Sequence, residues 1–231
     1  MLHPSFLVQG GSSFWVTRLS CALPTAPVKI EPLYGVLMDP SADGPALHGV
    51  WSLLDSEATG RTRDAWSRLE RDFGLRGVLA APYPHFSYQI VYGYDRAAVE
   101  SALSTLADEI EPFEVRTTGL ATFAGPWPTV YITVEKDALL RATHGRVWTA
   151  CLPFAVNPVP YFGPDSWTPH ISLAYGDERN SLPLTGNQVR EILATMSHSD
   201  FHWTIFIDNL ALIEDDGGTQ APVRAFPLRG R

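Results

Sequence analysis

Two segments of this chain, Pro84-His85-Phe86-Ser87-Tyr88 and Pro169-His170-Ile171-Ser172-Leu173, repeat one pattern, and that repeat constrains the fold more than any other feature. In each, polar and apolar side chains alternate through a run of apolar and hydroxyl residues, the signature of a half-buried strand. A period of two puts His85 with Ser87, and His170 with Ser172, on one face, while Phe86 and Tyr88, or Ile171 and Leu173, anchor the other. The approach to each segment has the same layout. A short apolar strand at residues 34–38 and then helical material lead into the first; a strand at 130–134 and then a helix lead into the second. Strand, helix and strand, twice over, imply an α/β (α+β) architecture of two similar lobes. Lobes related by a pseudo-two-fold axis would set the two His-Ser pairs facing each other across a cleft.

Residues 1–29, punctuated by Pro4, Gly10-Gly11, Pro24 and Pro27, read as an N-terminal extension, and residues 30–231 as a single bilobal domain. Between residues 44 and 73 apolar side chains recur at helical spacing (Leu47, Val50, Trp51, Leu54, then Trp66, Leu69, Phe73). That spacing predicts two helices, broken at Gly60 and stopped at Gly74. A strand is expected over 83–94, then a helix capped by Asp95 and running to Glu109. Residues 113–122 and 129–134 read as paired strands, and 136–150 as a helix. Pro153, Pro158, Pro160, Pro164 and Pro169 make 152–169 a long constrained loop. A strand at 171–175, a helix at 186–196 and a final long strand at 202–214 follow, and the residues from Asp215 onward read as a turn and a loose tail.

Composition removes several classes of function. The chain is 45% hydrophobic and 18% charged, as in an ordinary globular protein. No apolar run reaches the roughly 18 residues that span a bilayer, and residues 1–27 lack a basic start, a clean apolar run and a cleavage site. The expectation is a soluble, cytoplasmic, monomeric protein with no membrane partner. A formal charge of −8 argues against gripping duplex DNA, which needs a basic stripe, yet it leaves room for a small anion in a locally positive pocket. Cys21 and Cys151 read as buried thiols. No His-Glu-x-x-His occurs, and a helix-to-strand boundary separates His198 from His202, so no metal is expected.

The paired histidines suit acid–base work on a phosphodiester. One imidazole takes a proton from water while the other gives one to the leaving oxygen, on opposite sides of an in-line displacement. An ordinary histidine pKa near ~6.5 makes both forms available at neutral pH. The Ser87 and Ser172 hydroxyls would donate to the non-bridging phosphate oxygens. The same short spacing occurs at His3-Pro4-Ser5 and His202-Trp203-Thr204, but the first precedes any fold signal and the second lies outside the strand–helix–strand repeat. His144 and His198 read as members of solvated helix faces. Tyr83 shares the strand parity of His85, and Trp127 sits in a proline-bracketed turn; both are candidates for stacking on a base. Tyr161, Phe162 and Trp167 read as loop packing, and neither Arg116 nor Arg179 has a pattern that singles it out.

The two segments resemble the paired His-hydrophobic-Ser/Thr-hydrophobic motifs of the two-histidine phosphoesterase superfamily, which includes bacterial RNA 2′,5′-ligase-like proteins and nucleoside cyclic phosphodiesterases. Residues 120–134 are similar to its mid-chain hairpin and 206–213 to its closing strand. The resemblance covers about residues 33–214. It implies a bilobal fold with two antiparallel sheets flanking a central cleft, an acid–base pair at His85 and His170, phosphate ligands at Ser87 and Ser172, and no cofactor. It also implies that His170 activates water and His85 protonates the leaving oxygen. The implied substrate is a small nucleotide or an RNA 3′ end: a nucleoside 2′,3′-cyclic phosphate opened to a phosphomonoester, or a 2′,5′-linked phosphodiester. Two alternatives stay open, a non-catalytic phosphate-binding module and RNA-end processing with 2′,5′ ligation.

Overall fold

Where residues 44–54 are expected to be helical, the chain makes a strand, β1 (His48–Leu53). The computed structural model describes residues 47–176, 183–215 and 219–230; the expected extension at 1–29, the strand expected at 34–38 and Arg179 lie outside the described residues. The helical reading fails because the adjacent Val50 and Trp51, on opposite faces of the strand, are both buried, and a strand covered on both sides shows no clean alternation. A single helix, α1 (Ser56–Phe73), follows. Asp55 starts it by accepting from the Ala58 N–H at 2.8 Å, and Gly74 ends it at φ 69°, a left-handed cap that favours glycine. Gly60 does not break it: the residue lies on the exposed side of the second turn, where the penalty is intrinsic propensity alone.

The expected strand over 83–94 is β2 (His85–Val91) and a two-residue β3 (Gly93–Tyr94). Asp95 then caps α2 (Arg96–Glu109), and β4 (Phe113–Phe123) and β5 (Thr129–Val134) form the expected hairpin. Asp137 caps α3 (Ala138–Cys151). The proline-rich loop holds β6 (Ala155–Val156), paired with β3. After β7 (His170–Ala174) comes α4 (Gly186–Met196), opened by a reciprocal Thr185–Gln188 capping box. The expected last strand is two, β8 (Thr204–Ile207) and β9 (Asn209–Asp215), which join different sheets. The expected loose tail is a further strand, β10 (Gln220–Pro227). Pro222 and the break in register after it disguise that strand, and β10 is an edge strand, where proline is tolerated.

Two four-stranded antiparallel sheets result, in the orders β10-β9-β1-β2 and β7-β5-β4-β8. The halves of the chain repeat each other down to single residues. In β1–β2, Val50 faces Gln89 and Trp51 faces Ser87, with a bulge between them. In β5–β7, Val130 faces Ala174 and Tyr131 faces Ser172, with a bulge at the same step. The halves also exchange strands: β4 pairs with β5, and β9 pairs with β1. The helices cross as well, with α1 packing on β7 and α3 on β2. One continuous apolar core therefore takes residues from both halves, from Val50 and Trp66 to Ile171 and Ile207.

Gly49 is a close-approach position in β1. A Cβ there would lie 2.9 Å from the Gln89 carbonyl oxygen and 2.7 Å from the Ile90 Cδ1. The backbone oxygen cannot step aside without disturbing the β1–β2 ladder. Gly49→Ala is expected to cost about 1–3 kcal/mol of stability, as overpacking does elsewhere, read as a lowered Tm in thermal unfolding. An unchanged Tm would show that the sheet gives way freely at this point.

Candidate active site

His85 and His170 open β2 and β7, the edge strands along which the two sheets adjoin. The side-chain alternation expected from spacing holds in both strands. Phe86, Tyr88, Ile171 and Leu173 are buried, while His85, Ser87, His170 and Ser172 are half-buried on the opposite face. The two imidazoles lie near enough that charge on His170 lowers the pKa of His85.

Both rings are anchored in the same way. His85 Nδ1 lies 2.6 Å from the Tyr83 carbonyl oxygen, and His170 Nδ1 lies 2.7 Å from that of Thr168, each two residues back along the chain. A carbonyl only accepts, so Nδ1 carries the hydrogen in both rings. Nε2 is left as the atom that can take or give a proton. Fixing the tautomer through the other ring nitrogen is how histidine is oriented for such work. Neither the Ser87 nor the Ser172 hydroxyl has a hydrogen-bond partner among the described residues, so both are available to an anion.

The rings differ in what flanks them. His85 is stacked flat on Trp51, with centroids 3.3 Å apart and planes 2° from parallel. His170 meets the edge of Phe123 at 4.9 Å and lies 5.2 Å from the Tyr131 ring. Trp51 and Tyr131 are equivalent positions in the repeat, each opposite the motif serine. Burial among protein atoms pushes the His85 pKa down, to about 3; the Tyr83 carbonyl opposes this and the His170 charge adds to it. Burial also lowers His170, against the Thr168 carbonyl. With no anion between them, both rings therefore favour the neutral form.

The other sequence candidates fall at different distances. Tyr83 is 37% exposed at the entry to β2, beside His85. Trp127 is half-buried in the β4–β5 turn, and it is Phe123 at the start of that turn whose ring touches His170. His202 is exposed and paired with Asp200 at 3.4 Å, apart from the two motifs, and His198 is exposed. Arg116 is exposed on β4. His144 corrects an expectation: it is 1% exposed rather than solvated, because α3 turns it inward to bond the Phe162 and Tyr88 carbonyls at 2.9 and 3.1 Å. Cys151 is buried as a free thiol, as read from the sequence, while Cys21 lies outside the described residues. Among the described residues no three His, Cys, Asp or Glu side chains are grouped to hold a metal ion, and no helix is long and apolar enough to cross a membrane.

Trp51, Phe123 and Tyr131 are the site residues that spacing alone misses. Trp51 is hidden by the helical reading of its segment. Tyr131 is recoverable, since aligning Val50-Trp51 with Val130-Tyr131 puts an aromatic at the same place in each half.

The family model of the 2'-5' RNA ligase superfamily matches residues 58–219. Among solved structures, TT0787 of Thermus thermophilus is similar at 18% identity, covering 80% of this chain and 99% of its own, with a TM-score of 0.55. LigT of Escherichia coli, solved with NADP+, is similar at 16% identity over 80% of this chain and 98% of its own, with a TM-score of 0.48. No curated protein sequence matches the chain.

Proposed function

Since the chain belongs to the 2'-5' RNA ligase superfamily, the two-histidine phosphoesterases, we propose that it is a metal-independent phosphodiesterase working through His85 and His170. Its substrate is a nucleoside 2′,3′-cyclic phosphate or a related 2′,5′-linked or RNA-end phosphodiester. The observation that carries this reading is the matched anchoring of the two imidazoles through Nδ1, beside two serine hydroxyls; among the described residues neither Nε2 nor either hydroxyl has a hydrogen-bond partner. The phosphate sits between the rings, its non-bridging oxygens accepting from Ser87 and Ser172. His170 takes a proton from water as the water oxygen bonds to phosphorus. The P–O3′ bond breaks, His85 protonates the departing O3′, and a 2′-phosphomonoester remains. Tyr83 and Phe123, with Trp127 beyond, supply aromatic surface at the rim for a base.

The acid must be charged, yet in the free protein both rings are held neutral. A bound phosphodiester carries the negative charge that reverses this preference. The sign of the pH dependence follows. The profile of kcat/KM reports the free protein and that of kcat the complex. The kcat/KM optimum is expected below pH 6.5, the ordinary histidine value, and the kcat profile about one unit or more higher. Coincident profiles, or a kcat/KM optimum above pH 7, would remove the phosphate from this role.

Incubation with 2′,3′-cyclic AMP in EDTA, followed by phosphorus NMR, tests the proposal directly. The expected result is a new phosphomonoester resonance that grows in the presence of chelator. Activity lost in EDTA and restored by zinc, or binding without turnover on cyclic and 2′,5′-linked substrates, would overturn it.

A further inference from the structure

The carbonyls of the two motif serines are held by tryptophans from the opposite half of the chain. Trp66 of α1 donates its indole N–H to the Ser172 carbonyl at 3.0 Å. Trp167, three residues before His170, donates to the Ser87 carbonyl at 2.8 Å. Both indoles belong to the buried core. Neither bond completes a sheet or caps a helix; each ties the strand bearing one His-Ser pair to an element of the other half.

Trp167 is itself fixed from several sides. His144 stacks on it with centroids 3.9 Å apart and planes 15° from parallel. Lys136 donates to its carbonyl at 2.6 Å and lies 5.5 Å from its ring. His144 in turn bonds the Tyr88 carbonyl, next to Ser87 in the same strand. The segment entering the second motif is thus clamped to the backbone of the first.

We propose that Trp66 and Trp167 are positioning residues that set the gap between the two His-Ser pairs. The inference rests on the phosphodiesterase reading for its kinetic consequence, but not for its structural one. An in-line displacement needs water, phosphorus and leaving oxygen aligned between two fixed groups. A misplacement of about 1 Å in such an arrangement costs up to roughly a hundredfold. The indole bonds run across the gap, while the ladder hydrogen bonds of each sheet hold only one side of it.

Trp66→Phe and Trp167→Phe keep a buried ring and lose the N–H. Benzothienylalanine at either position, with sulfur in place of N–H, also keeps the bicyclic shape and, at position 167, the stack on His144. With 2′,3′-cyclic AMP well below the melting temperature, each change is expected to lower kcat about tenfold and to move KM by less than about twofold. A lowered Tm with unchanged kcat would overturn the proposal and leave the indoles as packing alone. A second measurement needs no turnover: nitrogen NMR of the His85 and His170 rings with inorganic phosphate. Loss of either indole N–H is expected to broaden or split the ring resonances on phosphate binding; sharp, unchanged resonances in all variants would overturn the proposal. An inactive wild-type protein whose variants still broaden these resonances would sink the phosphodiesterase reading while leaving the positioning role standing.

Discussion

His85→Ala and His170→Ala are each expected to lower kcat on 2′,3′-cyclic AMP by about a hundredfold to ten-thousandfold, the range for loss of one general acid or base. The fold should survive. Each ring is half-buried at the first residue of its strand, and among the described residues its one polar tie is to a carbonyl two residues away. The two losses should also fail to multiply. With one imidazole gone, the other has no partner across the displacement, so the double variant is expected to fall little further than the worse single one. Circular dichroism and thermal unfolding check the fold, and steady-state kinetics check the loss. A single variant within about fivefold of wild type would remove that histidine from the chemistry, given the minimum expected of a general acid or base.

The second large effect concerns the hydroxyls. Ser87→Ala and Ser172→Ala are each expected to cost about a hundredfold in kcat, in line with the loss of one donor to a developing oxyanion. Each serine sits two residues along the strand from its histidine on the same face, and neither hydroxyl is engaged by the protein among the described residues. A donor held free before substrate arrives needs no bond broken to serve it. Because charge on the phosphate oxygens grows toward the transition state, the loss should fall on kcat more than on KM. An equal loss in inorganic phosphate affinity, with kcat untouched, would mark the hydroxyls as ground-state contacts only.

The paired motifs were legible because a strand period of two is a strong local signal. Parity alone placed His85 with Ser87 and His170 with Ser172, and it kept Phe86, Tyr88, Ile171 and Leu173 inside. Caps were legible for the same local reason, at Asp95 and at Gly74. What spacing could not reveal depends on residues far apart in the chain. β1 is buried on both faces, so its apolar run mimics helical periodicity. The segment 202–214 looks continuous, but the chain leaves one sheet for the other at Asp208, and only the pairing partners mark the change. His144 looks solvated until the carbonyls of Tyr88 and Phe162 are brought to it. The indole bonds to Ser172 and Ser87 are of the same kind, being separated from their partners by 106 and 80 positions.

The exchange of β4 and β9 between the sheets bears on how such a chain can be assembled. A fragment ending at residue 123 would hold β4 with no β5 to pair with, and β1 with no β9 beside it. During synthesis, the first sheet stays open until residues 209–215 have left the ribosome. Two copies of a half-length ancestor, each lending one strand to the other's sheet, would rebuild this arrangement as a symmetric dimer. The present molecule has the form of that dimer with its subunits fused end to end, and fusion frees each half to change without the other.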